Sequence, residues 1–140
     1  MTKIISKSDL KSMTDAGIEV DNLKDIFSAI RGGETDFEVG NYRFIGESSI
    51  DEVMQDELAS DTYTLGCCTP WFVGNMLGVS PDDVKRCQDA DCMDFIGVML
   101  AKDIEATQQG IVSADGYGGH FAHYDGNENT ITGYYFFRVN

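Results

Sequence analysis

The segment DFEVGNYRFI, residues 36–45, constrains the fold of this chain more than any other part of its sequence. Apolar and polar side chains alternate on both sides of Gly40-Asn41, and this dipeptide is typical of a two-residue hairpin turn. One face of the hairpin is then wholly apolar and requires a covering layer. The residue pairs predicted by this register are Phe37 with Phe44, Glu38 with Arg43, and Val39 with Tyr42.

Helical periodicity occupies much of the remaining chain. Thr69-Pro70 and Ser80-Pro81 each place a capping side chain before a proline at the first helical position. Ser49 and Glu52 form the sequence pattern of a capping box, which marks another helix start. The predicted helices span residues 8–16, 21–31, 50–60, 70–77, 81–88 and 92–108.

After Gly110 the helical period stops, and the sequence predicts strand, turn and strand. The turn is expected at residues 125–129, where Asp, Gly and Asn cluster. Residues 134–139 carry aromatic side chains on both faces. This pattern is typical of a central strand that is covered on two sides.

These patterns together predict an α+β fold class. An antiparallel sheet, made of the hairpin 36–45 and the C-terminal strands, is expected to pack against the helical block at 50–108. No internal repeat or flexible linker divides the chain, and its 140 residues, 42% of them hydrophobic, suffice for one core. We therefore expect a single domain over residues 1–140.

The sequence indicates neither a membrane span nor an export signal. The longest apolar run, FIGVMLA at 95–101, is far shorter than the roughly 20 residues that cross a bilayer. The start, MTKIISKSDLKSM, lacks the apolar core of a secretory signal. We therefore expect a cytoplasmic protein with no membrane partner.

Four cysteines raise the question of a metal site, but their spacing does not suit zinc. Cys67 and Cys68 are adjacent, and four residues separate Cys87 from Cys92. In a reducing compartment we expect small buried apolar side chains, with a Cys68–Cys87 disulfide as an open alternative. No metal or other cofactor is predicted.

The net charge of −14 is spread unevenly along the chain. Residues 47–61 contain six acids and no base, and residues 82–105 contain seven acids against three bases. Such a chain repels nucleic acid phosphates, so we expect no nucleic acid partner. It is steered instead toward basic surfaces, although plain solubility also explains an acidic composition.

The leading hypothesis is therefore a small, non-enzymatic interaction protein that binds a basic protein surface. Its oligomeric state is left open. The acids expected to form the interaction surface lie on helix 50–60 and in and just after helix 81–88. They are Asp51, Glu52, Asp56, Glu57, Asp82, Asp83, Asp89 and Asp91.

The segment FVGNMLGVSPDDVKRCQ, residues 72–88, has the spacing of a helix–turn–helix. Gly74 lies four residues before the turn residue Gly78. Asp82 and Asp83 stand where a recognition helix presents base-reading groups, so the charge argues against a DNA-binding regulator. The pattern predicts the packing of two short helices that can also serve as a protein-docking surface.

The alternative hypothesis is a small enzyme or ligand-binding protein that uses His120, His123 and Tyr124. Residues three apart on a strand point to opposite faces, so the two imidazoles are not expected to share a metal. The GYGG segment at 116–119 lacks the lysine and the following helix of a phosphate cradle. His120 and His123 are the only candidate catalytic residues, and we interpret them as hydrogen-bonded side chains near a sheet edge.

The last quarter of the chain contains a set of glycine and aromatic segments. They are Gly116-Tyr117-Gly118, His120-Phe121, Tyr124-Asp125-Gly126, Tyr134-Tyr135 and Phe137-Arg138-Val139-Asn140. These segments resemble the ends of small proteins encoded by bacteriophages and their hosts. The resemblance implies a phage or mobile-element origin but carries over no functional residue. By analogy, small acidic phage proteins are often inhibitors of host machinery, and some of these inhibitors imitate DNA.

Overall fold

The structure, a computed structural model, describes residues 6–140 of the chain. Over these residues it contains nine helices and four strands. The helices are α1 (Lys7–Asp15), α2 (Val20–Arg31), α3 (Ile50–Ser60), α4 (Thr62–Leu65), α5 (Pro70–Leu77), α6 (Pro81–Asp89), α7 (Met93–Ala101), α8 (Ile104–Asp115) and α9 (Gly118–Phe121). The strands are β1 (Asp36–Val39), β2 (Tyr42–Gly46), β3 (Asn129–Ile131) and β4 (Tyr134–Arg138).

The α+β fold class is confirmed, because helices accompany a four-stranded antiparallel sheet, consistent with a single α+β domain. Within the described residues the chain forms two compact units. Unit 1 comprises residues 6–50 and 115–140, and unit 2 comprises residues 51–114. No helix of residues 6–140 combines the length and the apolar character that crossing a membrane requires.

Unit 1 contains the whole sheet, with strand order β1-β2-β4-β3. The predicted hairpin register is confirmed at every pair, since Phe37 lies opposite Phe44 and Val39 opposite Tyr42. Glu38 lies opposite Arg43 as predicted. The Arg43 guanidinium forms a bidentate ion pair with Asp36, in which Nε donates to Oδ1 at 2.8 Å and Nη2 donates to Oδ2 at 2.7 Å. The last strand, β4, is central as predicted.

One face of the sheet is covered by α1 and α2. Met13 of α1 and Ile26 of α2 are fully buried in one cluster with Phe44 and Phe136 of the sheet. The prediction that the helices of 50–108 cover the sheet is wrong for this face. The apolar stripes of the two N-terminal helices supply the layer that the hairpin requires.

Two polar contacts link α1 to the sheet. The Tyr42 hydroxyl donates a hydrogen bond of 2.7 Å to the carbonyl of Ala16, just after the helix ends. The buried Asp9 carboxylate accepts from the backbone N–H groups of Thr132 at 3.0 Å and Ser6 at 3.1 Å. Burial acts to raise the pKa of Asp9, but hydrogen bonds from the side chains and backbone of Thr132 and Ser6 outweigh it and lower that pKa below its ordinary value.

The C-terminal region differs from the prediction at its first strand and turn. Residues 118–121 form the short helix α9, and the hairpin turn lies at Thr132-Gly133 instead of 125–129. Gly118 lets the start of this helix pack closely on the turn that follows, because a Cβ there would overlap the carbonyl oxygen of Gly126. On the second face of the sheet, the phenyl ring of Phe121 packs against that of Phe137, with 5.1 Å between the ring centroids.

Unit 2 is organised by a close crossing of α4 and α7. A Cβ on Gly66, which caps α4, would overlap the carbonyl oxygen of Met93, and a Cβ on Gly97 would overlap that of Thr62. The Thr62 hydroxyl also donates a hydrogen bond to the carboxylate of Asp94. Only glycine permits backbones to approach this closely.

The predicted helix 92–108 is two helices in the structure, α7 and α8. Asp103 caps the start of α8, because its carboxylate accepts from the backbone N–H of Ala106 at 3.2 Å. The Thr107 hydroxyl donates to the carbonyl of Leu100 at 2.9 Å and so satisfies the end of α7. Helix α8 continues to Asp115, past the predicted helix end at residue 108 and past Gly110, where the helical period was expected to stop.

The crossing predicts that Gly97→Ala destabilises the protein. The obstructing atoms are backbone atoms of Thr62, which cannot move aside as a flexible side chain can. We expect the free energy of unfolding, measured by urea denaturation, to fall by about 3 kcal/mol or more, the upper end for overpacking.

Gly32→Ala is the matched control for this substitution. Gly32 ends α2 with φ −74°, an angle that alanine adopts freely, and a Cβ added there would lie 3.3 Å from its nearest neighbouring atom. We expect its free energy of unfolding to change by less than about 1 kcal/mol. Equal effects of the two alanines would contradict the close crossing.

Candidate functional site

The acids predicted on α3 divide into two kinds. Glu52 and Asp56 are exposed, one helical turn apart on the same face. Asp51 and Glu57 are half-buried, and both have interaction partners. The predicted acidic face of α3 is therefore narrower than the sequence suggested, with Glu52 and Asp56 as its exposed centre.

Asp51 supports a buried polar side chain. The fully buried Gln108 of α8 donates a hydrogen bond of 2.9 Å from Nε2 to Asp51 Oδ1. Gln55 and Gln109 donate in turn to Gln108 Oε1, at 3.3 and 2.8 Å. Because a buried amide is costly without partners, Asp51 contributes to the stability of this unit as well as to its charge.

The acids of α6 lie beside the only bases of that helix. Lys85 forms an ion pair with Asp89 at 3.0 Å, and Arg86 forms one with Asp83. Both pairs are between neighbours on one exposed helix face, so they compensate charge locally. Asp82, in the first turn of α6, and Asp91, just beyond its end, are also exposed.

Unit 2 carries most of the excess negative charge. Residues 51–114 contain twelve acids and three bases, a net charge of −9, whereas the rest of the chain contains twelve acids and seven bases, a net of −5. Two of the three bases, Lys85 and Arg86, are paired within α6 itself. Unit 2 is therefore the more negatively charged of the two units.

The helix pair α5–α6 has the predicted helix–turn–helix features. Gly78 ends α5 in the left-handed conformation, with φ 71°. At Gly74 a Cβ would lie 2.6 Å from the carbonyl oxygen of Val79, so only glycine lets the turn pack against α5. Thr69 and Ser80 cap the two helices as predicted. With Lys85 and Arg86 paired to acids, α6 offers phosphates little free positive charge.

An apolar groove lies between α5, α6 and α7, entirely within unit 2. Its cavity measures about 150 Å³. Asp83, one of the acids predicted to form the interaction surface, lines this groove. Other residues that line it are Leu77, Val79, Cys87, Phe95 and Met99.

The sequence contains only an indirect signal for this groove. Helix α7 is apolar on nearly all sides, and that pattern is typical of a central core helix. In the structure Ile96 and Leu100 are buried, but Phe95 is 63% exposed and Val98 is 44% exposed. An apolar helix without a polar face can therefore combine a core stripe with an exposed apolar surface.

The two histidines lie in different surroundings. His120 is on α9, half-buried, with its ring edge-on to Phe121 at 4.6 Å. His123 is exposed in the turn after that helix, and the neighbouring Tyr124 ring lies 3.7 Å from the guanidinium of Arg138. The expectation that both imidazoles lie on one strand is wrong, because Gly118 allows a helical turn there.

The described residues contain no preformed metal site. Among residues 6–140, no group of three or more His, Cys, Asp or Glu side chains is placed to hold a metal ion. None of the four cysteines forms a disulfide, so the alternative of a Cys68–Cys87 disulfide is wrong. Cys67 and Cys87 are exposed, contrary to the expectation of four buried cysteines.

Comparison with protein-family models, with curated proteins and with solved structures finds no match to this chain. The resemblance of the C-terminal quarter to bacteriophage proteins therefore stays a prediction.

The Gln108 network predicts that the acids of α3 differ in their effect on stability. Asp51→Ala removes the carboxylate that accepts from Gln108, so the free energy of unfolding should fall by about 1–3 kcal/mol. The neighbouring Glu52→Ala makes the same change of charge at an exposed position and should stay within about 0.5 kcal/mol of the parent protein. Urea denaturation of both variants checks this. An equal loss in both would mean that the network adds nothing.

Proposed function

We propose that this protein is a non-enzymatic interaction protein that binds a basic surface of a partner protein. The binding surface lies in unit 2, on the exposed acids of α3 and α6. The observation that carries the proposal is the net charge of −9 in residues 51–114, where two of three bases are already paired within α6.

The exposed acids of α3 slightly disfavour folding of the helix but favour binding of a basic partner. Glu52 and Asp56 repel each other one turn apart on α3, which slightly destabilises the helix. A basic partner relieves this repulsion when it binds. Exposed charges also raise the rate of encounter with an oppositely charged surface. Salt weakens this attraction, because at physiological ionic strength charges more than about 8 Å apart are largely screened from each other.

The proposal predicts that neutralising exposed acids of unit 2 weakens binding to a basic probe. The variant combines Glu52→Gln, Asp56→Asn and Asp82→Asn, which leaves the Gln108 network and the ion pairs of α6 intact. A fluorescein-labelled lysine peptide serves as the probe in an anisotropy titration. At about 0.15 M salt we expect the Kd to rise about tenfold, since each exposed ion pair contributes up to about 1 kcal/mol.

The matched control removes three exposed acids at the start of α2 in unit 1, through Glu19→Gln, Asp21→Asn and Asp25→Asn. Its net charge equals that of the first variant. We expect its Kd to change less than about twofold, because these acids lie outside the proposed surface. Equal weakening in both variants, or binding of the parent protein that salt does not affect, contradicts a binding surface on unit 2.

A further inference from the structure

The groove between α5, α6 and α7 is an apolar surface exposed to solvent. Phe95 and Val79 both line it and are 63% and 45% exposed. The exposed area inside the groove is apolar, although Asp83 is among the residues that line it. Large exposed apolar side chains around a concavity are typical of a protein-binding site.

The volume of the groove limits what can occupy it. A dry apolar cavity of about 150 Å³ is large enough to hold one benzene molecule. The groove therefore fits a single large side chain, such as phenylalanine, leucine or methionine. It is too small for the several anchors of an amphipathic helix that lies along a groove.

The surrounding charge determines the kind of chain that carries this side chain. Asp82 and Asp94 are exposed and adjoin Asp83 and Phe95, which line the groove, whereas Asp83 itself is paired with Arg86 of the same helix. A second copy of this protein would bring another unit of net charge −9 to the same place, which is electrostatically unfavourable. Lysine and arginine side chains beside the anchor complement the charge.

We infer that the α5–α6–α7 groove is the anchor site for a basic segment of a partner protein, with one large apolar side chain inserted between flanking lysines or arginines. The inference rests on the proposed function and adds to it the position and the chemistry of the contact. The acids attract and orient the basic segment. The groove buries the apolar anchor of that segment, as the central contacts of protein interfaces require.

Two labelled peptides test the site. The first carries four lysines on each side of a central phenylalanine, and the second carries alanine in the centre. Anisotropy titration of the full chain should give a Kd about tenfold to a hundredfold lower for the phenylalanine peptide, as expected when one aromatic side chain is buried.

A pair of variants on α7 tests the position of the anchor. Phe95→Ala removes a wall of the groove, whereas Val98→Ala shortens an exposed side chain of the same helix that does not line it. Phe95→Ala should reduce the preference for the phenylalanine peptide to less than about threefold. Val98→Ala should leave that preference unchanged. Circular dichroism confirms that both variants are folded.

The thiol of Cys87 reports directly on the groove. It lines the cavity and is exposed, while Cys67 is exposed elsewhere and serves as an internal control. The phenylalanine peptide should slow alkylation of Cys87 severalfold relative to Cys67, as measured by peptide mapping. The alanine peptide should change the relative rate less.

The outcomes separate the two proposals. If both peptides bind with equal, salt-sensitive affinity and Cys87 is not protected, the anchor site is wrong and the acidic surface stands. If neither peptide binds, both proposals are wrong. A preference for phenylalanine that survives Phe95→Ala places the anchor elsewhere and overturns the inference.

Discussion

The arrangement of unit 2 depends on the close contact of α4 and α7 at Gly66 and Gly97. At each glycine a side chain would overlap a backbone carbonyl of the other helix. The carbonyl of Gly66 also accepts a hydrogen bond of 3.0 Å from the side chain of Gln88 on α6. Gly66 therefore helps to position both α6 and α7, the helices that form two walls of the apolar groove.

The position of α7 explains how one helix serves both the core and the surface. With its backbone held against α4, α7 buries Ile96 and Leu100 together with Val73 and Val84. Residues on its other sides, including Phe95, are left facing solvent. Burial of apolar area drives folding, and the exposed Phe95 beside a cavity is the feature on which the proposed anchor site rests.

The acids of unit 2 have different physical roles. Asp51 satisfies a buried glutamine, and Asp83 and Asp89 form ion pairs within their own helix. Glu52 and Asp56 are exposed, and their mutual repulsion disfavours the helix that carries them. This surface therefore combines acids that are held by partners within the unit with exposed acids that repel each other.

Local chemistry made much of this fold predictable from the sequence. The hairpin register followed from alternation and Gly40-Asn41, and the starts of α5 and α6 followed from a capping side chain before a proline. Contacts between distant segments were not predictable in this way. The helical turn at His120 depends on close approach of Gly118 to Gly126, and the role of Asp51 depends on Gln108.

The candidate site likewise has one part that the sequence predicted and one part that it did not. The cluster of acids was predictable, because charged residues are identified without knowledge of tertiary contacts. The groove was not visible, because the exposure of Phe95 depends on which side of α7 meets α4, and that is decided by Gly66 and Gly97. Glycine inside an apolar helix is the one local signal of such a close approach.

The central claim is that a basic segment of a partner protein binds unit 2 at the apolar α5–α6–α7 groove. The most direct measurement is an NMR titration of the ¹⁵N-labelled protein with the phenylalanine-centred lysine peptide. We predict that the largest amide shift changes occur together at Val79, Asp83 and Phe95. Shift changes centred on α2 of unit 1, with those three amides unmoved, would contradict the claim.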